Sequence, residues 1–305
     1  MCMKKHLRYL LLIPMILSAA GCNKATNNTN KTPVDVVIIS GQSNATGCSS
    51  AFCLSETFEM DKYEEYIEGY SDIQIAYDCW TKDWPASGIT FYSQNISRKN
   101  NFVKVKTGQG NNPNNFGPEV GIAEATHEKY ANKLFLIKYA CGGSNLKDDW
   151  MTRNSPMYGR MIDYVKLQMQ HLEEKGFAPT IKAFCWMQGE GDTYPGYWSV
   201  YQNSLRTFTN NLREDLRELA GNKELPFIDA GICVSSAWDY PEEVNAAKAA
   251  FAAESENNIF IDTMAEGLHT NREPSDNPDL CHFDSDSEIK LGHLFAEAFD
   301  QFLMK

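Results

Sequence analysis

The feature that most restricts this chain is a repeated alternation of short apolar runs with longer amphipathic stretches. The apolar runs are Val34 to Ser40, Phe102 to Lys106, Leu134 to Ala140, Ile181 to Met187, Phe227 to Val234 and Ile259 to Asp262. Four or more of them are almost wholly apolar, as strands covered on both faces must be. Pro118 to Ala131, Met157 to Lys175, Tyr197 to Ala220, Glu242 to Ala253 and Ser287 to Leu303 carry apolar residues at helical spacing. Strands alternating with helices need crossover connections, which predicts an α/β fold with a mostly parallel sheet and helices on both faces. Ligands of such sheets sit beyond the carboxyl ends of the strands, so chemistry is sought just after each apolar run. Cys48 to Gln109 breaks the rhythm with its aromatics, glycines and charges, and reads as a long insertion near the mouth of the site, with a possible strand at Ile73 to Tyr77.

A chain of 305 residues suits one sizeable domain. Forty acidic against twenty-eight basic side chains give a formal charge of −12, which repels phosphate backbones and argues against a nucleic-acid partner. Lys4, Lys5 and Arg8 precede an apolar run from Leu10 to Leu17 and the small residues Ser18 to Gly21, the order of a secretory signal spanning residues 1–21. That run is shorter than the roughly 20 residues needed to cross a bilayer. Gly21-Cys22 resembles a bacterial lipoprotein box, with Cys22 as the lipidated residue and ordinary signal cleavage as the alternative. The expectation is an exported protein, periplasmic or on the cell surface and touching membrane only through Cys22, or else secreted. Residues 22–32 are polar and aperiodic and read as a tether, leaving 33–305 as the folded domain.

Of nine cysteines, Cys2 and Cys22 belong to the leader. Cys48, Cys53 and Cys79 lie in apparently irregular stretches, where an oxidising compartment allows a pair to form; Cys141, Cys185 and Cys233 sit in apolar runs and read as buried thiols. No His-Glu-x-x-His and no zinc-type spacing of Cys and His is present, so no metal is expected.

Four polar segments stand at strand ends or before helices: Gly41-Gln42-Ser43-Asn44, Asn115-Phe116-Gly117, Gln188-Gly189-Glu190-Gly191-Asp192 and Asp279-Leu280-Cys281-His282. A serine hydroxyl needs a base before it can attack. Of six histidines, His6 is in the leader and His127, His171 and His293 fall in amphipathic helices, which leaves His269 and His282 in loops. Asp279 stands three residues before His282, and Glu266 three before His269, so spacing does not choose between them. Gly142-Gly143-Ser144-Asn145 lacks the following Lys-Ser/Thr of a phosphate loop and reads as a strand-end loop. Asp284, Asp286 and Glu288 lack the central glycine of a calcium loop and read as acidic capping of the last helix.

The strings IISGQSNATG, FGPEVGIA, YACGGSNLKDDW, WMQGEGDT and DLCHFDSDSEIKLG, in that order from Val34 to Gly292, resemble the SGNH-type hydrolases, in the branch holding sialate O-acetylesterase-like proteins and carbohydrate esterase family six. The resemblance implies a three-layer α/β/α sandwich on a flavodoxin-like, mostly parallel sheet. It implies hydrolysis of acetyl esters on carbohydrate, of the acetylxylan or sialate type, without metal or organic cofactor. By the matching motifs Ser43 is the nucleophile, His282 the base, and Asp279 the acid, with Glu190 sharing or replacing it. The Ser43 and Gly117 N–H groups and the Gln188 side chain fall on the oxyanion positions. Gly191 departs from the commoner serine and Ala45 from the commoner methionine of the branch. Trp150 and Tyr194, with Trp80, Trp84, Tyr197 and Trp198, are candidate faces for a pyranose ring, and Asn44 and Asn145 candidate polar contacts to substrate. Two other readings share these residues: a surface lipoprotein that binds glycan without turning it over, and transfer of acetyl to a second sugar.

Overall fold

The computed structural model describes residues 31–83, 88–93 and 101–303. The leader, Cys22 and Trp84 lie outside them. In chain order the first elements are β1 (Thr32–Gly41), α1 (Ser43–Thr46), β2 (Ser49–Ser50), α2 (Leu54–Thr57), α3 (Met60–Glu68), β3 (Tyr70–Asp83), β4 (Thr90–Ser93), β5 (Val103–Val105) and β6 (Asn115–Phe116). Then follow α4 (Glu119–Tyr130), β7 (Leu134–Gly142), α5 (Pro156–Glu174), β8 (Phe177–Met187), α6 (Tyr201–Asp215), β9 (Phe227–Ala230), α7 (Pro241–Ala252), β10 (Asn258–Ile261) and α8 (Ser285–Asp300).

The main sheet runs β10-β9-β8-β1-β7-β3-β4, with β5 also paired to β3. β10, β9, β8, β1, β7 and β3 are parallel, and only β4 and β5 run antiparallel. Without β3, the parallel strands have the order second-first-third-fourth-fifth of a flavodoxin-like sheet. β1 is central because from Val34 onward it is buried on both faces.

Alternation along β7 shows which helices cover which face. Lys138 reaches Glu119 at the start of α4, while the next residue, Tyr139, packs its ring 5.5 Å from that of Tyr164 of α5. α8 lies with α4: a Cβ on Gly121 would stand 2.0 Å from Ile289 O, and one on Gly292 2.3 Å from Pro118 O. On the α5 face, Trp186 of β8 packs its ring 4.7 Å from Phe208 of α6 and edge-on to Trp150.

The stretch expected to be an insertion is in part sheet. β3 runs for fourteen residues rather than Ile73 to Tyr77, because its polar residues are satisfied within the fold. Lys82 pairs with Asp149 at 2.6 Å, and Asp78 accepts from Ser93 Oγ at 2.6 Å. Cys79 is therefore a buried strand residue, not a loop thiol, and the described cysteines, Cys48 and Cys53 among them, are all unpaired.

Candidate active site

The strand order reverses between β1 and β8, the point where ligands of such sheets bind. Gly41 ends β1 opposite Met187 at the end of β8; Gln188 follows Met187 directly, and Ser43 follows Gly41 after Gln42. Gly41 has φ 141°, and a Cβ there would stand 1.9 Å from Met187 O, so only glycine lets the two strand ends approach. Gln42 then ties the two loops together: its Oε1 accepts from Gln188 Nε2 at 3.1 Å, Gly191 N at 3.1 Å and Gly189 N at 3.3 Å. Ser43 opens the one-turn helix α1, half-buried, and its hydroxyl has no hydrogen-bond partner among the described residues.

Asn44 is fully buried and joins three motifs. Its Nδ2 donates to Glu190 Oε1 at 2.7 Å, and its Oδ1 accepts from Phe283 N at 3.1 Å. Ser49 Oγ donates to Phe283 O at 2.7 Å. The residue after Ser43 thus binds the residue after His282. His282 Nδ1 lies 2.6 Å from Asp279 Oδ2, and Asp279 also accepts from Cys281 N at 2.8 Å. Burial pulls the imidazole pKa down, but the Asp279 hydrogen bond and the neighbouring Cys48 thiol outweigh it and push it up to about 11. The same hydrogen bond, working against burial, holds Asp279 below the usual carboxylate range. Cys48, Asp279 and His282 share a cavity of about 200 Å³.

Glu190 sits beside this group but is not bonded to the imidazole. One oxygen takes Asn44 and the other has no partner among the described residues, and burial raises its pKa. His269 belongs to another network, with Asp284 Oδ2 2.5 Å from Nδ1 and Asp286 Oδ2 3.4 Å from Nε2, while Glu266 pairs with Lys290 instead. Asp284 and Asp286 thus hold His269, and neither Oε of Glu288 has a partner among the described residues.

Several expected contacts are placed differently. The Gly117 N–H donates to Glu119 Oε1 at 3.0 Å. Both N–H groups of Gln188 are committed, to Gln42 Oε1 and to Asp192 Oδ2 at 2.6 Å, while Tyr201 OH donates to its Oε1 at 3.0 Å. Fully enclosed, the Gln188 amide acts as a strut. Asn44 is likewise a buried clamp rather than a substrate contact. Trp150 is completely buried with Nε1 donating to Ser144 Oγ, and Asn145 caps the short helix of residues 146–150 by accepting from Asp148 N at 2.8 Å. Tyr194, 45% exposed, is free to meet a ligand.

Two groups were not singled out by sequence. Gly143, in the loop after β7, is exposed, has φ 73°, and its N–H has no acceptor among the described residues. Its neighbour Gly142 lies against the nucleophile candidate, a Cβ there falling 3.9 Å from Ser43 Cβ. The signal was available, since β7 flanks β1 and the strand-end rule applies to its loop equally. Asp192 is the second: it accepts from Gln188 Nε2, Leu146 N at 2.7 Å and Lys147 N at 3.3 Å, fastening the β7 loop to the β8 loop, and burial pushes its pKa up to about 6.

A family model described as carbohydrate esterase, sialic acid-specific acetylesterase, matches residues 33–301. Among solved structures, a protein from Arabidopsis thaliana, 21% identical, matches with a TM-score of 0.58 over 89% of this chain and 100% of that one. The structure of NanS, 14% identical, matches with a TM-score of 0.57 over 90% of this chain and 98% of that one. These two likenesses bear on the fold. No curated protein matches the sequence.

Proposed function

This chain belongs to the carbohydrate esterases of the sialic acid-specific acetylesterase family, and on that premise we propose that it removes O-acetyl groups from carbohydrate through an acyl-enzyme on Ser43. The activity class, carboxylic ester hydrolysis on carbohydrate, comes with the family. The residues and the acetyl preference are our reading. One observation supports it most: the Asn44 amide, bonded to Glu190 and to Phe283 N, ties the residue after Ser43 to the residue after His282, whose Nδ1 lies on Asp279, at the reversal of strand order.

In this reading His282, its Nδ1 held by Asp279, takes the Ser43 proton on Nε2 as the hydroxyl oxygen attacks the acetyl carbonyl. The Asp279 carboxylate stabilises the imidazolium that forms. The imidazolium then protonates the departing sugar oxygen, and water, activated by the same imidazole, releases acetate and frees Ser43. No Ser43–His282 hydrogen bond is formed in the free protein; such bonds commonly tighten only with substrate. The negative oxygen of the tetrahedral intermediate is received by the N–H groups of Ser43 and Gly143, which have no other acceptor among the described residues. Glu190 anchors Asn44 instead of serving as the acid.

Acetate release from acetylated xylan and from O-acetylated sialosides, measured with wild type and Ser43→Ala, tests the reading. Ser43→Ala should lose on the order of 10⁴-fold or more in kcat. Equal hydrolysis by the two proteins removes Ser43 from the mechanism, and glycan binding without any acetate release by wild type replaces the reading with that of a binding protein.

A further inference from the structure

The nucleophile stands on a helix of a single turn, and isolated helices below roughly 12 residues are marginal in water. Something outside α1 must fix it. Its last carbonyl, Thr46 O, accepts from Lys138 Nζ at 2.9 Å, and the same nitrogen donates to Gln109 O at 2.8 Å. Glu119 Oε2 lies 2.8 Å from that nitrogen, and both side chains are completely buried. The ammonium thus meets three oxygens from separate segments, two carbonyls by hydrogen bond and the Glu119 carboxylate as an ion pair.

The cluster continues through the far end of the acid. Glu119 Oε1 takes the Gly117 N–H, and Gly117 presses on the end of α1, where a Cβ on Gly47 would stand 2.4 Å from Gly117 N. The Cys79 thiol donates to the same Thr46 and Gln109 carbonyls, at 3.6 and 3.8 Å. Lys138 arises in the middle of an otherwise apolar strand. Burying an ammonium and a carboxylate there is expensive, and apolar replacements of buried pairs are often as stable or more so. Stability alone therefore gives a weak reason for the pair.

We infer that Lys138, held by Glu119, is a positioning residue for Ser43. By gripping the Thr46 carbonyl from beneath the sheet end it sets the axis of α1, and with it the direction from which the Ser43 hydroxyl meets the ester. The inference rests on the reading of Ser43 as nucleophile.

The test compares wild type, Ser43→Ala and the double variant Lys138→Met with Glu119→Gln, which removes both charges of the pair together. Reactive serine is counted with a fluorophosphonate, and kcat and KM are measured on an aryl acetate. The double variant should fold, as judged by circular dichroism, keep KM within about threefold, and lose on the order of 10²-fold in kcat per titrated serine, the effect of a misplacement of about 1 Å. A purely structural role would lower the titrated fraction and leave kcat per site unchanged. Should the double variant fail to fold, Lys138→Arg is measured in its place, since it keeps the charge while moving the donor; the same drop is expected. A folded variant with kcat per site within about twofold of wild type overturns the inference. Wild-type rates in Ser43→Ala overturn the nucleophile reading instead, whatever the Lys138 variants show.

Discussion

Asn44 exposes no surface, yet each end of its amide has its own partner, Glu190 on one side and Phe283 N on the other. A polar residue beside a nucleophile looks from sequence like a substrate contact, because exposure is the usual state of Asn in a turn. Burial of Gln42 and Asn44 follows from β1 and β8 ending together, which no local pattern records. The choice between Asp279 and Glu190 was likewise open in sequence, and geometry decides which carboxylate touches the imidazole. It also makes a prediction about pH. In the proposed mechanism the neutral imidazole is the base, and Asp279 raises its pKa, so activity should be gained only as pH climbs through that raised value. The kcat/KM profile on an aryl acetate should therefore rise with pH to a midpoint well above the ordinary imidazole value of about 6.5. In Asp279→Asn the midpoint should move down towards that value while kcat falls by roughly 10²- to 10⁴-fold. A midpoint that stays in place would show that Asp279 does not govern the base.

At the level of elements, helices and buried strands were legible because their periods are strong. α4, α5 and α8 lie within two or three residues of their expected limits. β3 was largely missed because Asp78 and Lys82 interrupt its apolar pattern, and the partners that satisfy them lie elsewhere in the chain. Gly191, a departure from the pattern the resemblance implies, has a local reason: a Cβ there would stand 2.3 Å from Ser144 O, so glycine lets the β8 loop close on the loop carrying Gly143. The crossing of α4 over α8 is equally intolerant. It depends on Gly121 and Gly292, and it fixes α8 directly after the segment that presents His282. Gly292→Ala should lower stability by roughly 1–3 kcal/mol through overpacking, despite the better helix propensity of alanine. It should lower esterase activity as well. Urea unfolding checks the first expectation, and a midpoint equal to or above wild type would contradict the close approach.

For the molecule as a whole, the alternation of runs predicts the parallel sheet, and the strand-end rule points to the edge where the site gathers. The sequence could not show which donors are spent on holding that edge together, because this depends on pairs formed between distant segments. Gly117 and Gln188 turned out to be among them, and so were three lysines. Lys82, Lys138 and Lys248 each meet a carboxylate in the interior, with at most 3% of the side chain exposed. To a reagent that acylates amines these three are silent while the fold is closed, whereas Lys129, at 58% exposure, answers at once. They are built-in reporters of opening. A short labelling pulse followed by peptide mass mapping should mark Lys129 in native protein and reach Lys138 only as denaturant loosens the sheet, and prompt marking of Lys138 would mean that water already enters beneath α1.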